Sequence, residues 1–206
     1  MTPLESPLPR LTRRAGLQLT AGGAAAAGIG LLAGPLTAAA PASLGTTDVR
    51  VLNFALVLER LQERFYALAL ERAGLSGELE QFAHVAHGHE RKHVEKLSAA
   101  LGGRAGAAPS FTLDDVTSDA KRFTATAIAL EDMAVAAYNG QVANVSRPVL
   151  KVAAEIVSVE GRHAAWIRDL AGHLPAPRAA DPVLATKAVL AKLAPMGLVQ
   201  GLGGEG

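Results

Sequence analysis

The pattern Glu-x-x-His occurs twice in the sequence, as Glu90 to His93 and, seventy residues later, as Glu160 to His163. On an α-helix, residues three apart lie on one face, about one turn from each other. Each pattern therefore directs a carboxylate and an imidazole towards the same place, and both groups bind metal ions. Two such pairs, with one further glutamate from each of two other helices, form the dinuclear site of iron and manganese four-helix bundles. The sequence therefore predicts a site for two metal ions, if two such glutamates exist.

Glu59 and Glu131 are the candidates for these two glutamates. Each lies on an apolar face of a predicted helix, where an unpaired carboxylate would be costly. The only two tyrosines, Tyr66 and Tyr138, follow them by seven residues each, almost two helical turns, and so share their faces. Glu63 is the alternative to Glu59. The tyrosines are candidates either for a role beside the metal ligands or for core residues with satisfied hydroxyls.

The charge of this set indicates which ions it would hold. Four carboxylates with two neutral imidazoles carry a formal charge of −4 and would repel one another in a dry core. Two divalent ions would neutralise them, and mixed oxygen and nitrogen donors suit iron, with manganese as the alternative. The predicted metal ligands are Glu59, Glu90, His93, Glu131, Glu160 and His163.

A zinc protease is the main competing interpretation, because His89 to His93 also reads His-Glu-x-x-His. That site needs a third zinc ligand and a substrate cleft with an edge strand, and no strand is evident in the sequence. It also leaves Glu160 and His163 unexplained. The remaining histidines are interpreted as surface or core residues, with an accessory metal role left open for His87; they are His84, His87 and His173.

Four helices must position these ligands, so the sequence predicts an all-α fold. Apolar periodicity, capping residues and glycine stops place the bundle at about residues 47–173. A proline-rich link then leads to a short C-terminal helix at about residues 183–193. The four predicted helices run from about Thr47 to Arg72, from the end of a turn at Ser76 and Gly77 to Leu101, from Asp114 or Asp115 to Asn144, and from Ser146 to Gly172.

The connections between these helices predict the topology. The first and second helices, and the third and fourth, are joined by tight turns, so each pair forms an antiparallel hairpin. The link from Gly102 to about Thr112 is long enough, at about 3.3 Å per residue with its flanking residues, to cross the whole bundle. We therefore expect a ferritin-like four-helix bundle with one long crossover.

Composition narrows the classes of function. The chain has 206 residues, a formal charge of +1 and no cysteine. The absence of cysteine excludes disulfides, thiolate metal sites, cysteine nucleophiles and a lipoprotein anchor. No long basic run lies outside the N-terminus, so no nucleic-acid partner is expected.

Residues 1–42 are predicted to be a cleaved export signal, which leaves residues 43–206 as the mature domain. A basic start with Arg13 and Arg14 precedes an Ala/Gly/Leu run, and Ala40 to Ala42 form a small-x-small cleavage signal. The paired arginines resemble a twin-arginine signal, with an ordinary secretory signal as the alternative. Glycines and Pro35 interrupt the run, which favours cleavage over a permanent membrane span. The expected location is the periplasm or cell envelope.

From about residue 47 to 175 the chain resembles the bacterial exported ferritin-like family, which includes proteins described as desiccation-related. The matching blocks include Leu52 to Leu56, Gly88 to Val94, Ala129 to Asp132, Ala136 to Gly140 and Val159 to Ala165. The resemblance implies that Glu59 and Glu131 are terminal ligands, that Glu90 and Glu160 are bridges, and that His93 and His163 complete the two sites. Gly161 departs from a good helix sequence beside a ligand, and close packing is one interpretation of it.

Three functions are compatible with such a site. The first is an exported di-iron protein in which O₂ or peroxide oxidises bound Fe(II), with a protective role in oxidative or desiccation stress. The second is a manganese-catalase-like enzyme that disproportionates peroxide. The third is a non-catalytic, metal-stabilised envelope protein. A homo-oligomer is compatible with all three.

Overall fold

The protein is described by a computed structural model that covers residues 44–200. Over this range the chain forms five α-helices and two short 3₁₀ turns, and one isolated antiparallel bridge joins Phe111 and Val199. The predicted all-α fold is confirmed. The predicted export signal and the glycine-rich end after residue 200 lie outside the described residues. The helices are α1 (Thr46–Arg72), α2 (Gly77–Leu101), α3 (Ala120–Asn139), α4 (Arg147–Leu170) and α5 (Thr186–Leu193).

The first four helices form a bundle of two hairpins. A tight turn joins α1 to α2, and Gly74 and Gly77 both adopt a positive φ of 61° in it, which glycine tolerates without strain. A second short connection joins α3 to α4. Across the hairpins, α1 packs against α3 and α2 packs against α4, so every helix has two neighbours around the core. None of the helices between residues 44 and 200 is long and apolar enough to cross a membrane.

The long connection between α2 and α3 runs the length of α1. At its beginning, the Asn53 side chain accepts a hydrogen bond from the Gly106 backbone N–H (2.6 Å). At its end, Arg72 in the last turn of α1 forms an ion pair with Asp114 (2.5 Å). Since Asn53 and Arg72 lie near opposite ends of α1, the connection crosses the bundle as predicted.

Two predicted ends of α3 are wrong. The helix begins at Ala120 and not near Asp114, because the Asp119 carboxylate accepts the backbone N–H of Arg122 (2.9 Å) and caps the helix there. It ends at Asn139 and not near Asn144, because Gln141 and Val142 donate to carbonyls three residues earlier, so the backbone continues in tight turns. The link before α5 packs against this end of the helix. Leu184 donates its backbone N–H to the Ala136 carbonyl (2.9 Å).

The start of α1 also differs from the sequence prediction. The capping position is Gly45, and neither Thr46 nor Thr47 fills it. Asp48 does lie in the first turn, and its carboxylate accepts the backbone N–H of Gly45 (3.3 Å). The same carboxylate accepts the backbone N–H of Ser146 (2.8 Å), so Asp48 links the beginning of α1 to the beginning of α4.

Apolar side chains form two clusters, one towards each end of the bundle, and the predicted ligands lie between them. Burial of each large side chain stabilises the fold by about 1.5–3 kcal/mol, which offsets the cost of enclosing carboxylates. One cluster includes Phe65, Phe82, Phe123, Ile167, Val189 and Leu193, and the other includes Leu52, Leu56, Leu97, Leu101, Val149 and Ile156.

Candidate metal centre

The six predicted ligand side chains meet at the middle of the bundle, although they come from four different helices. The four glutamates have no exposed surface (0 %), and the two histidines are also buried. Glu59 is on α1 and Glu131 on α3, while the two Glu-x-x-His pairs come from α2 and α4. The i, i+3 spacing therefore places both carboxylate and imidazole on the inner face, as expected from helix geometry.

The ligand atoms fall into two overlapping groups of four, each with all its atoms within 4.8 Å of one another. Glu59 and His93 belong only to the first group, and Glu131 and His163 only to the second. Glu90 and Glu160 belong to both groups. The arrangement therefore has two terminal pairs and two shared carboxylates.

The histidines contact this cluster through the same ring nitrogen. His93 Nδ1 lies 2.9 Å from Glu160 Oε1, and it lies 3.1 Å from Oε2 of Glu59 and from Oε2 of Glu90. His163 Nδ1 lies 3.2 Å from Glu90 Oε1 and 3.4 Å from Glu131 Oε2. In both ligand groups, Nδ1 is thus the histidine nitrogen that faces the carboxylates.

Glu59, and not Glu63, contributes the carboxylate of α1. Glu63 is partly exposed and its Oε1 lies 3.4 Å from His87 Nε2 on α2, outside both groups. His84 and His173 are exposed. Of the alternatives left open by the sequence, the structure therefore brings Glu59 to the cluster and leaves Glu63 and His87 at the side of the α1–α2 hairpin.

Both tyrosines donate hydrogen bonds to the cluster, but each bonds to a glutamate of the other hairpin. Tyr66 on α1 donates to Glu131 on α3. Tyr138 on α3 donates to Glu59 on α1 (2.5 Å). Burial, together with the neighbouring carboxylates, raises the pKa of both tyrosines well above 10, so both hydroxyls keep their protons and act as donors.

The electrostatics of the cluster are those of a site that attracts cations. Burial lowers the pKa of His93, but hydrogen bonds with Glu160, Glu59 and Glu90 outweigh this and raise it to about 12. The same balance of burial against nearby carboxylates, with Glu131 as the largest contributor, raises the pKa of His163 to about 12. Without another cation, the carboxylates thus keep both imidazoles protonated.

The carboxylates themselves divide into two kinds. Burial and the nearby Glu160 charge raise the pKa of Glu90 well above its usual range. Burial and the Glu59 charge raise the pKa of Glu160 to about 7. Burial also acts to raise the pKa of Glu131, but the His163 charge and hydrogen bonds lower it overall. The two shared carboxylates, Glu90 and Glu160, are therefore the ones whose ionised form is least favourable.

The residues present fit two metal ions. Several buried ligand atoms make no hydrogen bond of good geometry, although they lie at ion-pair distances from one another; they are Glu90 Oε1, Glu131 Oε2, both carboxylate oxygens of Glu160 and Nδ1 of His163. Such unsatisfied groups are unfavourable in a core unless something else coordinates them. Four carboxylates with two imidazoles match the charge of two divalent ions, and they offer the mixed oxygen and nitrogen donors that such ions accept.

The described part of the chain contains neither the zinc ligand group nor the edge strand that a zinc protease of this pattern needs. His89 is not in either ligand group, and its Nδ1 instead lies 2.9 Å from Nε2 of His163. Between residues 44 and 200 there is no strand that could form the edge of a substrate cleft, since the only pairing is the Phe111–Val199 bridge.

Gly161 does not serve close packing, and that interpretation is wrong. A Cβ added at Gly161 would meet no atom within 4 Å. Helix α4 continues without interruption from Arg147 to Leu170, so this glycine does not distort the segment that carries Glu160 and His163.

The sequence patterns did not identify two side chains that contact His163. Phe82 on α2 packs edge-on against His163 (ring centroids 6.3 Å apart) and against Tyr66 (5.8 Å). His89 is hydrogen-bonded to Nε2 of His163, the outer ring nitrogen, which faces away from the carboxylates. The apolar periodicity of α2 could have indicated Phe82 as a core residue, whereas the contact of His89 depends on how α2 and α4 are rotated against each other.

Comparisons with known proteins agree with this architecture. The family described as "Ferritin-like domain" matches residues 47–173, which is more than half of the chain and contains all six candidate ligands. A search of curated proteins found no match.

Proposed function

The chain belongs to the ferritin-like domain family, and on that premise we propose that it binds two iron ions and oxidises Fe(II) as a protective, exported protein. The proposed terminal ligands are Glu59 with His93 and Glu131 with His163. Glu90 and Glu160 are the proposed shared ligands.

One observation carries this proposal: the two ligand groups overlap in Glu90 and Glu160. A single ion would need only one group, and in a structural salt-bridge network the two imidazoles alone would not balance the charge of four buried carboxylates. Shared carboxylates are the feature that allows two ions to lie close together and to react as a pair.

Ferrous iron is the substrate in this proposal, and O₂ or hydrogen peroxide is the oxidant. Two Fe(II) ions give up one electron each. O₂ takes up these two electrons with two protons and becomes hydrogen peroxide, whereas hydrogen peroxide takes up two electrons with two protons and becomes two water molecules. With peroxide as the oxidant, the reaction removes free ferrous iron and peroxide together and so limits radical formation, which suits a role in oxidative or desiccation stress.

The chain's own residues would prepare the site for this reaction. The six side chains orient the ions, and the two apolar clusters above and below them exclude bulk water. Tyr66 and Tyr138 fix the orientation of the terminal glutamates through their hydrogen bonds.

Metal analysis combined with an anaerobic Fe(II) titration tests the proposal. We expect two ferrous ions to bind per chain and, on addition of O₂, rapid growth of ferric absorbance in the near ultraviolet. The double variant Glu90→Ala with Glu160→Ala should lose both ions. Glu63→Ala, which changes a glutamate of α1 outside the cluster, is the matched control and should retain them. Unchanged metal content in the double variant would refute the site.

The same titration distinguishes the other functions. Oxygen release from peroxide by the manganese-loaded protein, without iron oxidation, would favour a catalase-like enzyme. Tight binding of two ions with no turnover of O₂ or peroxide would favour a metal-stabilised structural protein. Either result would overturn the proposed iron oxidation while leaving the metal site in place.

We also propose export to the periplasm or cell envelope through the predicted twin-arginine signal in residues 1–42. Replacement of Arg13 and Arg14 by lysine should retain the protein inside the cytoplasm in a fractionation experiment, if the paired arginines are read by that route. Unchanged export would favour an ordinary secretory signal.

A further inference from the structure

The two halves of the ligand set differ at the residue that precedes each Glu-x-x-His pair. In the first half this residue is His89, whereas the matching residue in the second half is Val159. The proposed ligands themselves are the same in both halves, so this position is a chemical difference between two otherwise similar sites.

His89 forms a direct hydrogen bond to one of the proposed ligands. Its Nδ1 lies 2.9 Å from Nε2 of His163, and the two rings are nearly parallel, with an angle of 12° and centroids 5.1 Å apart. A nitrogen–nitrogen distance of 2.9 Å is shorter than face-to-face stacking allows, but it is normal for a hydrogen bond. The rings therefore lie edge to edge in one plane, joined by that bond.

The geometry also fixes the direction of the bond when a metal is bound. His163 turns Nδ1 towards Glu90 and Glu131, so Nδ1 is the atom that would bind an ion and must then be unprotonated. Its Nε2 consequently carries the hydrogen and donates it to Nδ1 of His89. His89 is exposed, so its own Nε2–H is free to face water.

The other proposed ligand histidine has no comparable support. Within residues 44–200, the hydrogen bonds of His93 all use Nδ1, the atom that faces the carboxylates. Val159, at the matching position of the repeat, has no side-chain donor or acceptor. A partner on the outer nitrogen holds the ring and the tautomer of a ligand histidine and strengthens its bond to the metal.

We infer that His89 is a positioning residue that acts through His163 and makes the Glu131/His163 site the tighter of the two metal sites. This inference rests on the proposed metal binding and adds an order to it: the first divalent ion binds on the side supported by His89. The pair of ions is thus asymmetric although the ligand set is symmetric.

Titration of the metal-free protein with Co(II), followed by calorimetry and by the visible spectrum of the bound ion, tests the inference. Wild-type protein should bind two Co(II) ions in two steps of unequal affinity. His89→Val, which makes this position as apolar as its repeat counterpart, should weaken the tighter step about 10–100-fold. It should also alter the visible spectrum of the first bound ion, which a simple loss of stability would not do.

Two further variants make the result decisive. His89→Gln restores an acceptor near the outer nitrogen and should recover part of the lost affinity. His84→Val removes another exposed histidine of α2, away from the site, and should leave both steps and the spectrum unchanged. Equal steps in the wild type, or identical titrations of wild type and His89→Val, would overturn the inference. If the wild type bound no Co(II), Mn(II) or Fe(II) at all, the proposed function would fail first, so the two failures are distinguishable.

Discussion

Tyr66 on α1 donates its hydroxyl hydrogen bond to Glu131 on α3, and not to Glu59 on its own helix. Tyr138 mirrors this contact by donating to Glu59 (2.5 Å). The seven-residue spacing correctly places each tyrosine on the inner face, but α1 and α3 are neighbours, so the nearest carboxylate belongs to the other helix. The hairpins are consequently joined through the site itself.

This crossed arrangement predicts the effect of removing one hydroxyl. Tyr66→Phe is expected to lower the free energy of unfolding by about 1–3 kcal/mol, because a buried carboxylate loses its donor. Chemical denaturation of the metal-free protein measures this change. Tyr138→Phe should behave in the same way because its contact is the mirror image.

A double-mutant cycle checks that the pairing is crossed. Tyr66→Phe should show a coupling energy of at least about 0.5 kcal/mol with Glu131→Gln. Its coupling with Glu59→Gln, which changes the glutamate of the same helix, should be smaller. A larger coupling within the helix than between helices would contradict the arrangement.

Two glycines of the bundle should respond to alanine in opposite directions. Gly161 lies inside α4, and an added Cβ meets no atom within 4 Å, so Gly161→Ala is expected to stabilise the protein by about 0.5–1 kcal/mol. Gly140 lies against the link before α5, and an added Cβ would be only 1.9 Å from the Leu184 carbonyl oxygen. Gly140→Ala should therefore destabilise it. Thermal denaturation of both variants provides the measurement, and equal shifts would show that the close approach of Leu184 to Gly140 has no effect on stability.

The sequence predicted the ligand set because the ligand residues follow the periodicity of the helix. A carboxylate on an apolar helix face is rare enough to identify Glu131, and the i, i+3 spacing identifies the two Glu-x-x-His pairs. It could not decide between Glu59 and Glu63, since both lie near the same stripe of α1. The decision depends on α2, which offers His87 as a polar neighbour to Glu63.

The beginning of α3 shows a different limit. Asp114, Asp115 and Asp119 are equally good capping residues by type. A tertiary contact separates them, because Asp114 pairs with Arg72 at the end of α1 and so belongs to the crossover. Local sequence contains no information about that partner, and the helix begins only after the crossover has ended.

Asp48 should make stability depend on acid pH. Burial raises the pKa of Asp48, but hydrogen bonds from Ser146 and Gly45 outweigh burial and lower it below 3.8. Because the folded-state pKa is the lower one, this contribution is present above the unfolded pKa and is lost as pH falls through the folded value. Asp48→Asn should therefore destabilise the protein by about 1–2 kcal/mol at neutral pH and by less once the pH has fallen below the folded-state pKa.

Denaturation at several pH values measures this difference. Asp181→Asn, which changes an exposed carboxylate in the proline-rich link, serves as the control and should have little effect at any pH. A destabilisation by Asp48→Asn that stays constant from neutral to strongly acid pH would show that the contacts of Asp48, and not its charge, are what matter.

Metal uptake should release protons and tighten as pH rises. In the metal-free protein the pKa of both His93 and His163 is about 12, and that of Glu160 is about 7, so these side chains hold protons at neutral pH. A metal ion binds only the unprotonated forms, so two divalent ions must displace at least the two imidazole protons. Calorimetric titrations in buffers of different ionisation enthalpy count these protons. With one proton displaced per ion, the affinity of each ion should be about 100-fold higher at pH 8 than at pH 6. Uptake of two ions without proton release, or with an affinity independent of pH, would mean that the histidines are not ligands.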